Sequence, residues 1–410
     1  MTEPLTILEG DALAVLQTLP DETFHCVISS PPYWGLRDYG IDGQYGLEPT
    51  PEAYLARMVE VFREVRRVLR SDGTCWVNMG GGYQDKEVDG MPWRLAFALQ
   101  AERWWLRQDI VWAKPAPMPE SCTDRCTKSH EYIFLFAKSA RYFYDATAIA
   151  EPCKSESWHD SDFRRERNFL VHPTTGAGER NARTTIRNRR DVWTIASEPD
   201  TDHFCASCAT LYSRSEHAGL RSEKQSDGTL RVWCRCGQAE SWFAHFARFP
   251  AELPKLCILA GTSARGCCPK CGAPWERVVE NSPEYQDFVD SERERKGGRL
   301  MRDGLDGAPG ITRGTGKKSI SAQRTTTGWR PTCECGPVGQ EAYGEGVERC
   351  GASFVWKPVP CRVLDPFAGS GTVSLAAREL GRHATLIELN PDYAALARCR
   401  CNVTPGLQLA

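Results

Sequence analysis

The sequence predicts an α/β fold with a largely parallel sheet covered by helices on both faces, and three observations predict it. From residue 5 to about residue 150, short apolar runs alternate with longer stretches of helical periodicity. The alternation breaks off after residue 150 and returns over residues 361–401. That terminal block holds too few strands for a sheet of its own, so both ends of the chain are expected to build one sheet. The middle of the chain is then an excursion from it.

The elements follow in order. "LTILEGDA" and "FHCVISS" read as strands, with the helical "LAVLQTLP" between them. Residues 51–70 place Leu55, Val59, Phe62, Val65 and Leu69 at helical spacing behind Pro51, which suits a helix start. "GTCWVNMG", "QDIVWAK" and "EYIFLFAK" are further strands. The terminal block, "CRVLDPFAGSGTVSLAARELGRHATLIELNPDYAALARCR", reads as strand, glycine turn, helix, a strand ending in Glu388, and a last helix.

At 410 residues the chain is long enough for a large core plus one or two smaller modules. Hydrophobic content of 41% and charged content of 25% are those of a soluble globular protein. A net charge of −2 decides nothing about nucleic acid, because a local basic patch can hide in a balanced total. No apolar run reaches membrane-span length, and "MTEPLTILEGDAL" is unlike a signal peptide, so a cytoplasmic protein is expected. In a reducing cytoplasm, 19 cysteines point to metal ligands and buried apolar positions rather than disulfides.

The excursion contains two unusual stretches. Residues 161–190 hold eight arginines against three acids (Asp162, Glu166 and Glu179), a local net of +5. A solvated surface loop and a nucleic-acid contact both fit such a run. Residues 281–330 are poor in apolar residues and rich in Gly, Arg, Lys and Thr, which predicts a mobile insertion.

"DPFAGSGT" (Asp365 to Thr372) sets glycines where a strand turns sharply into a helix. Gly369 and Gly371 allow close approach of a ligand at the strand ends, where open α/β sheets bind their ligands. The turn lacks both the fuller dinucleotide spacing and the lysine of a phosphate-binding loop. Asp365 would repel a phosphate and suits a cationic ligand. Glu388, ending the next strand, stands where an acid grips a ribose diol. The combination fits S-adenosylmethionine.

"SSPPYWGLRDYG" (residues 29–40) follows the apolar run Cys26, Val27 and Ile28. Pro31 and Pro32 cannot donate to a sheet ladder and so end the strand in a rigid turn. An exocyclic amine on a base is a poor nucleophile because its lone pair is delocalised into the ring. Hydrogen-bond acceptors for its two hydrogens draw the nitrogen toward tetrahedral geometry. The Ser30 hydroxyl and the Pro31 carbonyl are acceptors of that kind, held in direction by the prolines. Tyr33 offers a face on which an extruded base can stack.

"SPPYW" resembles the (Asp/Asn/Ser)-Pro-Pro-(Tyr/Phe/Trp) motif of amino-methylating DNA methyltransferases, and "DPFAGSGT" resembles their cofactor motif. The likeness extends to "ILEGDALAVLQTLPDETFHCVISSPPYWGLRDYG", "WAKPAPMPESCTDRCTKSHEYIFLFAKSARYFYD", "RDVWTI" and "HFARFPAELPKLCILAGTS". With the catalytic motif first and the cofactor motif last, the order is the permuted one of the β group. The resemblance implies a Rossmann-like, circularly permuted S-adenosylmethionine-dependent methyltransferase fold. It also implies double-stranded DNA as partner and, in a restriction-modification setting, a companion restriction endonuclease.

The resemblance also implies residue roles. Ser30, Pro31, Pro32 and Tyr33 form the catalytic loop. Asp11 contacts the adenine end of the cofactor, and Phe249, Pro250, Thr262 and Ser263 line its methionine end. Asp365, Phe367, Ala368, Gly369, Ser370, Gly371 and Thr372 form the cofactor turn, with Glu388 on the ribose. Trp112 and Lys114 match a family segment to which no role is assigned, and strand packing and a surface charge account for them equally well. Serine at the first motif position is commoner in cytosine-N4 members of the family, whereas Asp or Asn dominates in adenine-N6 members. The resemblance therefore implies N4 of cytosine, with N6 of adenine as the alternative. A catalytically dead zinc-ribbon DNA-binding protein is the remoter reading.

The cysteines of the excursion form two sets. Cys205 and Cys208 (C-x-x-C) are followed by Cys234 and Cys236 (C-x-C), and Cys268 and Cys271 by Cys333 and Cys335. The first is zinc-ribbon spacing, two tight knuckles closing a tetrahedron of thiolates with no open position, and the second repeats the form with a longer insertion, so two structural zinc sites are expected. Cys267 and Cys350 are possible substitutes in the second set. Cys26, Cys75 and Cys399 read as buried apolar residues. The expected organisation is a catalytic half over 1–150 and a target-recognition region with the first ribbon over 151–240. A return segment over 241–263, a second ribbon insertion over 264–355 and a cofactor half over 356–410 follow.

Overall fold

The computed structural model describes residues 4–152, 186–198, 202–205, 210–224, 230–238, 242–243, 249–281, 324–337, 345–350 and 353–402. Cys208, most of the arginine stretch and residues 282–323 of the expected mobile insertion lie outside the described residues, while residues 324–330 of that insertion are strand.

The chain folds as two compact units. The first comprises Met1–Asp145, Arg190–Trp275 and Pro331–Ala410. It is built on an eight-stranded sheet of β1 (Leu5–Glu9), β2 (Phe24–Ser29), β3 (Leu69–Met79), β4 (Trp105–Ala113), β5 (His130–Ala137), β6 (Val192–Thr194), β7 (Arg362–Asp365) and β8 (His383–Glu388). Their order is β1-β8-β7-β2-β3-β5-β4-β6. The two C-terminal strands thus sit between β1 and β2, and both ends of the chain share one sheet. The run from β1 to β3 is parallel, and β5 is antiparallel to both its neighbours. With β6 parallel to β4 as well, the sheet is largely parallel, as expected, around one antiparallel strand.

β2 is buried along its whole length, as a central parallel strand must be. His25 on it is satisfied at both ring nitrogens. Nδ1 accepts from the Arg362 amide at 3.1 Å and Nε2 lies 2.8 Å from the Gly272 carbonyl.

Helix α1 (Ala12–Thr18) is capped by Asp11, whose carboxylate accepts from the Ala14 amide at 3.0 Å. Helix α2 (Pro51–Val68) starts at Pro51 behind Thr50, which accepts from the Ala53 amide, and carries Glu52 in its first turn and Arg66 and Arg67 in its last. Its buried stripe is Tyr54, Met58, Val61, Phe62, Val65 and Val68, each burial stabilising by roughly 1.5–3 kcal/mol. Leu55 and Val59, expected in that stripe, flank it instead. The helix is rotated so that the Tyr54 hydroxyl reaches the Pro32 carbonyl at 2.9 Å. Helix α3 (Met91–Ala101) packs beside α2 over Phe134 and Phe136 of β5. Helices α4 (Glu252–Gly261), α5 (Thr372–Glu379) and α6 (Pro391–Asn402) complete the cover.

The second unit comprises Ala146–Arg189 and Glu276–Arg330. Its described part includes a short antiparallel pair, Glu151–Pro152 with Ile186–Arg187. The strands Trp275–Asn281 and Arg324–Pro331 pair with each other and carry Arg277 over the Trp329 ring at 4.4 Å. The molecule thus gathers parts of the 151–240 and 264–355 segments into one body.

Three cysteine groups converge. The Sγ atoms of Cys268, Cys271, Cys333 and Cys335 lie within 4.8 Å of one another, as do those of Cys205, Cys234 and Cys236. The third group is His25, Cys267 and Cys361. Cys267 is accordingly not a substitute ligand in the second set, because its thiol faces the carbonyls of Val359 and Pro360. Cys26 and Cys75 are buried as expected, whereas Cys399 is partly exposed on α6. Among the described residues no helix is long and apolar enough to cross a membrane.

Candidate active site

A cleft of about 790 Å³ opens at the ends of β2, β7 and β8, and two groups of residues meet in it. One is the loop after β2, with Ser30, Pro31, Pro32 and Tyr33 on its wall. The other is the turn after β7, with Phe367, Ala368, Gly369 and Ser370. Thr372, Glu388 and Phe249 also line it. The sequence-predicted motifs, at opposite ends of the chain, are thus brought face to face.

The turn is fixed by hydrogen bonds to an acid. Glu388 Oε2 accepts from the Gly369 amide at 2.7 Å and Oε1 from the Asn390 amide at 2.9 Å. Gly371 adopts φ +80°, and a Cβ there would stand 3.0 Å from the Ala397 Cβ, so the turn tolerates no side chain as α6 packs over it. Arg400 binds both the carbonyl and the hydroxyl of Ser370, at 2.6 and 2.7 Å. Burial pushes the Glu388 carboxyl up to about 7, against the amides that favour its charged form.

Six of the residues expected at the site stand behind the cleft wall. Asp365 is buried and accepts from Ser29 Oγ at 2.9 Å and the Phe367 amide at 3.1 Å. Asp11 caps α1 and accepts from the Tyr45 hydroxyl, so it reaches the cleft through Tyr45, which lines it beside Phe367 at 5.3 Å. Thr262 Oγ1 takes the buried Arg382 Nε at 3.0 Å, and Ser263 Oγ the Arg265 amide at 3.2 Å. Pro250 and Gly371 pack beneath.

Burial also pushes the Asp365 carboxyl up to about 7 from its usual 3.8. Between about pH 4 and 7 the native state therefore holds a proton that the unfolded chain has released. This group's contribution to stability falls as pH rises across that window and is level above it. Asp365→Asn keeps an acceptor for both partners without the charge. We expect it to raise the Tm above wild type at pH 8 and to match wild type at pH 4, as read by thermal melts at the two values.

The loop after β2 is tied to residues that sequence reasoning did not single out. The Tyr33 hydroxyl donates to Glu131 Oε2 at 2.8 Å, and Asn78 Nδ2 lies 3.0 Å from both those oxygens and 3.3 Å from Ser30 Oγ. Lys114 closes the network on Glu131 Oε1. Lys114 and Trp112 both line the cleft: Lys114 is not a free surface charge, and Trp112, almost wholly buried, donates to the Ile195 carbonyl at 2.8 Å. The signal was a polar residue inside each apolar strand, since Asn78 and Glu131 interrupt "CWVNMG" and "HEYIFLFA".

Gly80 makes room for this network. A Cβ there would stand 2.9 Å from Tyr33 Cε2 and 3.3 Å from the Glu131 carboxyl carbon. Gly80→Ala is expected to displace the Tyr33 ring and cost about 1–3 kcal/mol of stability, measurable as a lower denaturant midpoint.

A DNA methylase family model (N6_N4_Mtase) matches residues 24–268 and 362–398, more than half of the chain and both walls of the cleft. The chain belongs to this DNA methylase family. It is 37% identical over 295 residues to the type II methyltransferase M.Cfr9I of Citrobacter freundii, covering 64% of this chain and 75% of that one. It is 43% identical over 286 residues to M.XycI of Xanthomonas campestris pv. cyanopsidis, covering 63% and 72%. In fold, this DNA methylase is similar to the PvuII DNA methyltransferase (cytosine-N4-specific), with a TM-score of 0.50, 15% identity, and 98% and 87% of the two chains covered.

Proposed function

We propose that this chain transfers the methyl group of S-adenosylmethionine to the N4 amine of a cytosine extruded from double-stranded DNA. The observation that carries the reading is the meeting, in one cleft, of the proline-fixed loop Ser30–Tyr33 and the glycine turn held by Glu388. The bound donor supplies an electrophilic methyl group.

The chain's own residues fit that donor and a base amine. The Glu388 oxygens accept from the Gly369 and Asn390 amides and keep lone pairs for further hydrogen bonds, which suits a ribose diol. Tyr45, Phe367 and Ile387 offer apolar walls to an adenine, and Asp365 behind the turn favours a cation in front of it. On the other wall the Tyr33 hydroxyl donates to Glu131, so the Ser30 hydroxyl, 3.4 Å from Tyr33, can point its own proton along the same chain. A Ser30 lone pair then faces the amine, and Pro31 is buried in a fixed geometry that directs its carbonyl. Serine at position 30 is what favours cytosine over adenine.

The permuted β-group order, target recognition by the region 151–240, and a companion restriction endonuclease belong to the same reading. So does structural zinc at the two cysteine sets, which the donor chemistry supports. Four thiols converge in the second set, and in the first the Cys236 amide points at Cys234 Sγ at 3.5 Å. Purified chain is expected to carry about two zinc ions by elemental analysis and Cys271→Ser about one. That variant should melt far below wild type, since structural zinc contributes on the order of 10 kcal/mol. Zinc-free, stably folded protein would remove this part.

The test of the main reading is tritium transfer from methyl-labelled S-adenosylmethionine to unmethylated genomic DNA by the purified full chain. Incorporation by wild type and its loss in Ser30→Ala supports the proposal. A wild type that binds the donor and labels no DNA overturns it.

A further inference from the structure

The loop between β4 and β5 presents a side chain that neither the fold nor the transfer reaction uses. Its first limb is Lys-Pro-Ala-Pro-Met-Pro, residues 114–119. Pro115, Pro117 and Pro119 fix every second φ and remove three amide donors, so this limb resists collapse onto the body. The second limb is pinned. Glu120 accepts from Arg125 and, at 3.4 Å each, from Cys122 Sγ and the Lys128 amide. Arg125 lies over the Tyr83 ring at 3.8 Å, and Lys128 Nζ donates to the Gly81 carbonyl. Lys114 ties the start of the loop to Glu131, and so to Tyr33.

On the first limb of this braced loop, Met118 is 87% exposed, more than any other large apolar side chain among the described residues. It also lines the cleft, beside Ala116, Pro117 and Pro119. Leaving a thioether in water forgoes roughly 1.5–3 kcal/mol of burial. A stiffened loop that holds one there, at the rim of the cleft, implies an occupant that arrives with the substrate.

We propose that Met118 is a wedge that enters the duplex and fills the space left when the target base turns into the cleft. The inference rests on the reading of the cleft as an acceptor of an extruded base. Extrusion costs a few kcal/mol in lost pairing and stacking, and an apolar side chain inserted between base steps recovers part of it. Methionine suits the gap, being unbranched, polarizable and able to follow an irregular surface. Because Lys114 joins the loop to Glu131 and Tyr33, the wedge and the stacking ring share one support.

The test uses the full chain, S-adenosylmethionine, and two duplexes carrying the target site mapped by sequencing methylated host DNA. In one duplex the target base faces its normal partner. In the other it faces an abasic position, so no pairing opposes extrusion. Met118→Ala is expected to methylate the paired duplex about tenfold or more slowly than wild type, and the abasic duplex within twofold of it. Met118→Leu, which keeps apolar volume, should stay near wild type on both, and donor affinity should be unchanged throughout. Equal rates for wild type and Met118→Ala on the paired duplex overturn the wedge, as does an equal loss on both duplexes. A wild type that transfers no methyl group to either duplex overturns the methyltransferase reading and the wedge with it, so the two failures are distinguishable.

Discussion

Ser30→Ala is expected to lower the methyl-transfer rate by about 10²–10³-fold while leaving the affinity for S-adenosylmethionine unchanged. The size follows from what one fixed acceptor does for a charge that develops only in the transition state. The base amine gains positive character as the new bond forms, and the Ser30 oxygen, 3.3 Å from Asn78 Nδ2 and 3.4 Å from the Tyr33 hydroxyl, is held where it can accept an amine hydrogen. Nothing in the glycine turn leans on Ser30, so donor binding should not move. Isothermal titration with the donor, alongside single-turnover rates, separates the two effects. Weakened donor binding with an unchanged rate would contradict this role.

Glu388→Ala is expected to weaken donor binding by about 30- to 300-fold. Two contributions add. The diol loses a charge-assisted hydrogen bond, worth about 1.5–3 kcal/mol, and the amides of Gly369 and Asn390 lose the acceptor that shapes the turn. The binding should also depend on pH. Burial holds the Glu388 carboxyl near 7, and the ionised form is the better acceptor, so affinity should rise with pH up to about 7 and level off above it. Glu388→Gln keeps one acceptor oxygen and should flatten that profile at a weaker level. A wild-type affinity that is constant from pH 5.5 to 8.5 would contradict the assignment of Glu388 to the donor.

Much of this frame is legible in the sequence because strands and helices leave periodic traces. The strand ends carrying Ser30, Asp365 and Glu388 fall where the apolar runs stop, and prolines or glycines mark each exit. The direction of β5 is not legible, since "EYIFLFA" reads as a fully buried strand in either orientation. The rotation of α2 is likewise hidden. Leu55 and Val59 look as apolar as Tyr54 and Met58, and the buried stripe is the one that packs in the core and carries the Tyr54 hydroxyl to the Pro32 carbonyl.

The polar network joins Asn78 of β3, Glu131 of β5 and Lys114 just after β4, so no local spacing announces it. Conversely, Asp11, Thr262, Ser263 and Asp365 lie near the site along the chain but stand one layer behind the cleft wall. Residue type and motif position identify a neighbourhood; which side chain faces the ligand is set by packing.

The most direct measurement is mass spectrometry of nucleosides digested from the DNA of a methylation-free bacterial host expressing this chain. The account predicts N4-methylcytosine in wild-type cells and none in cells expressing Ser30→Ala. N6-methyladenine in its place would retain the cleft and the donor but contradict the choice of base. Folded wild-type protein that leaves neither mark would contradict the central claim that this cleft methylates DNA.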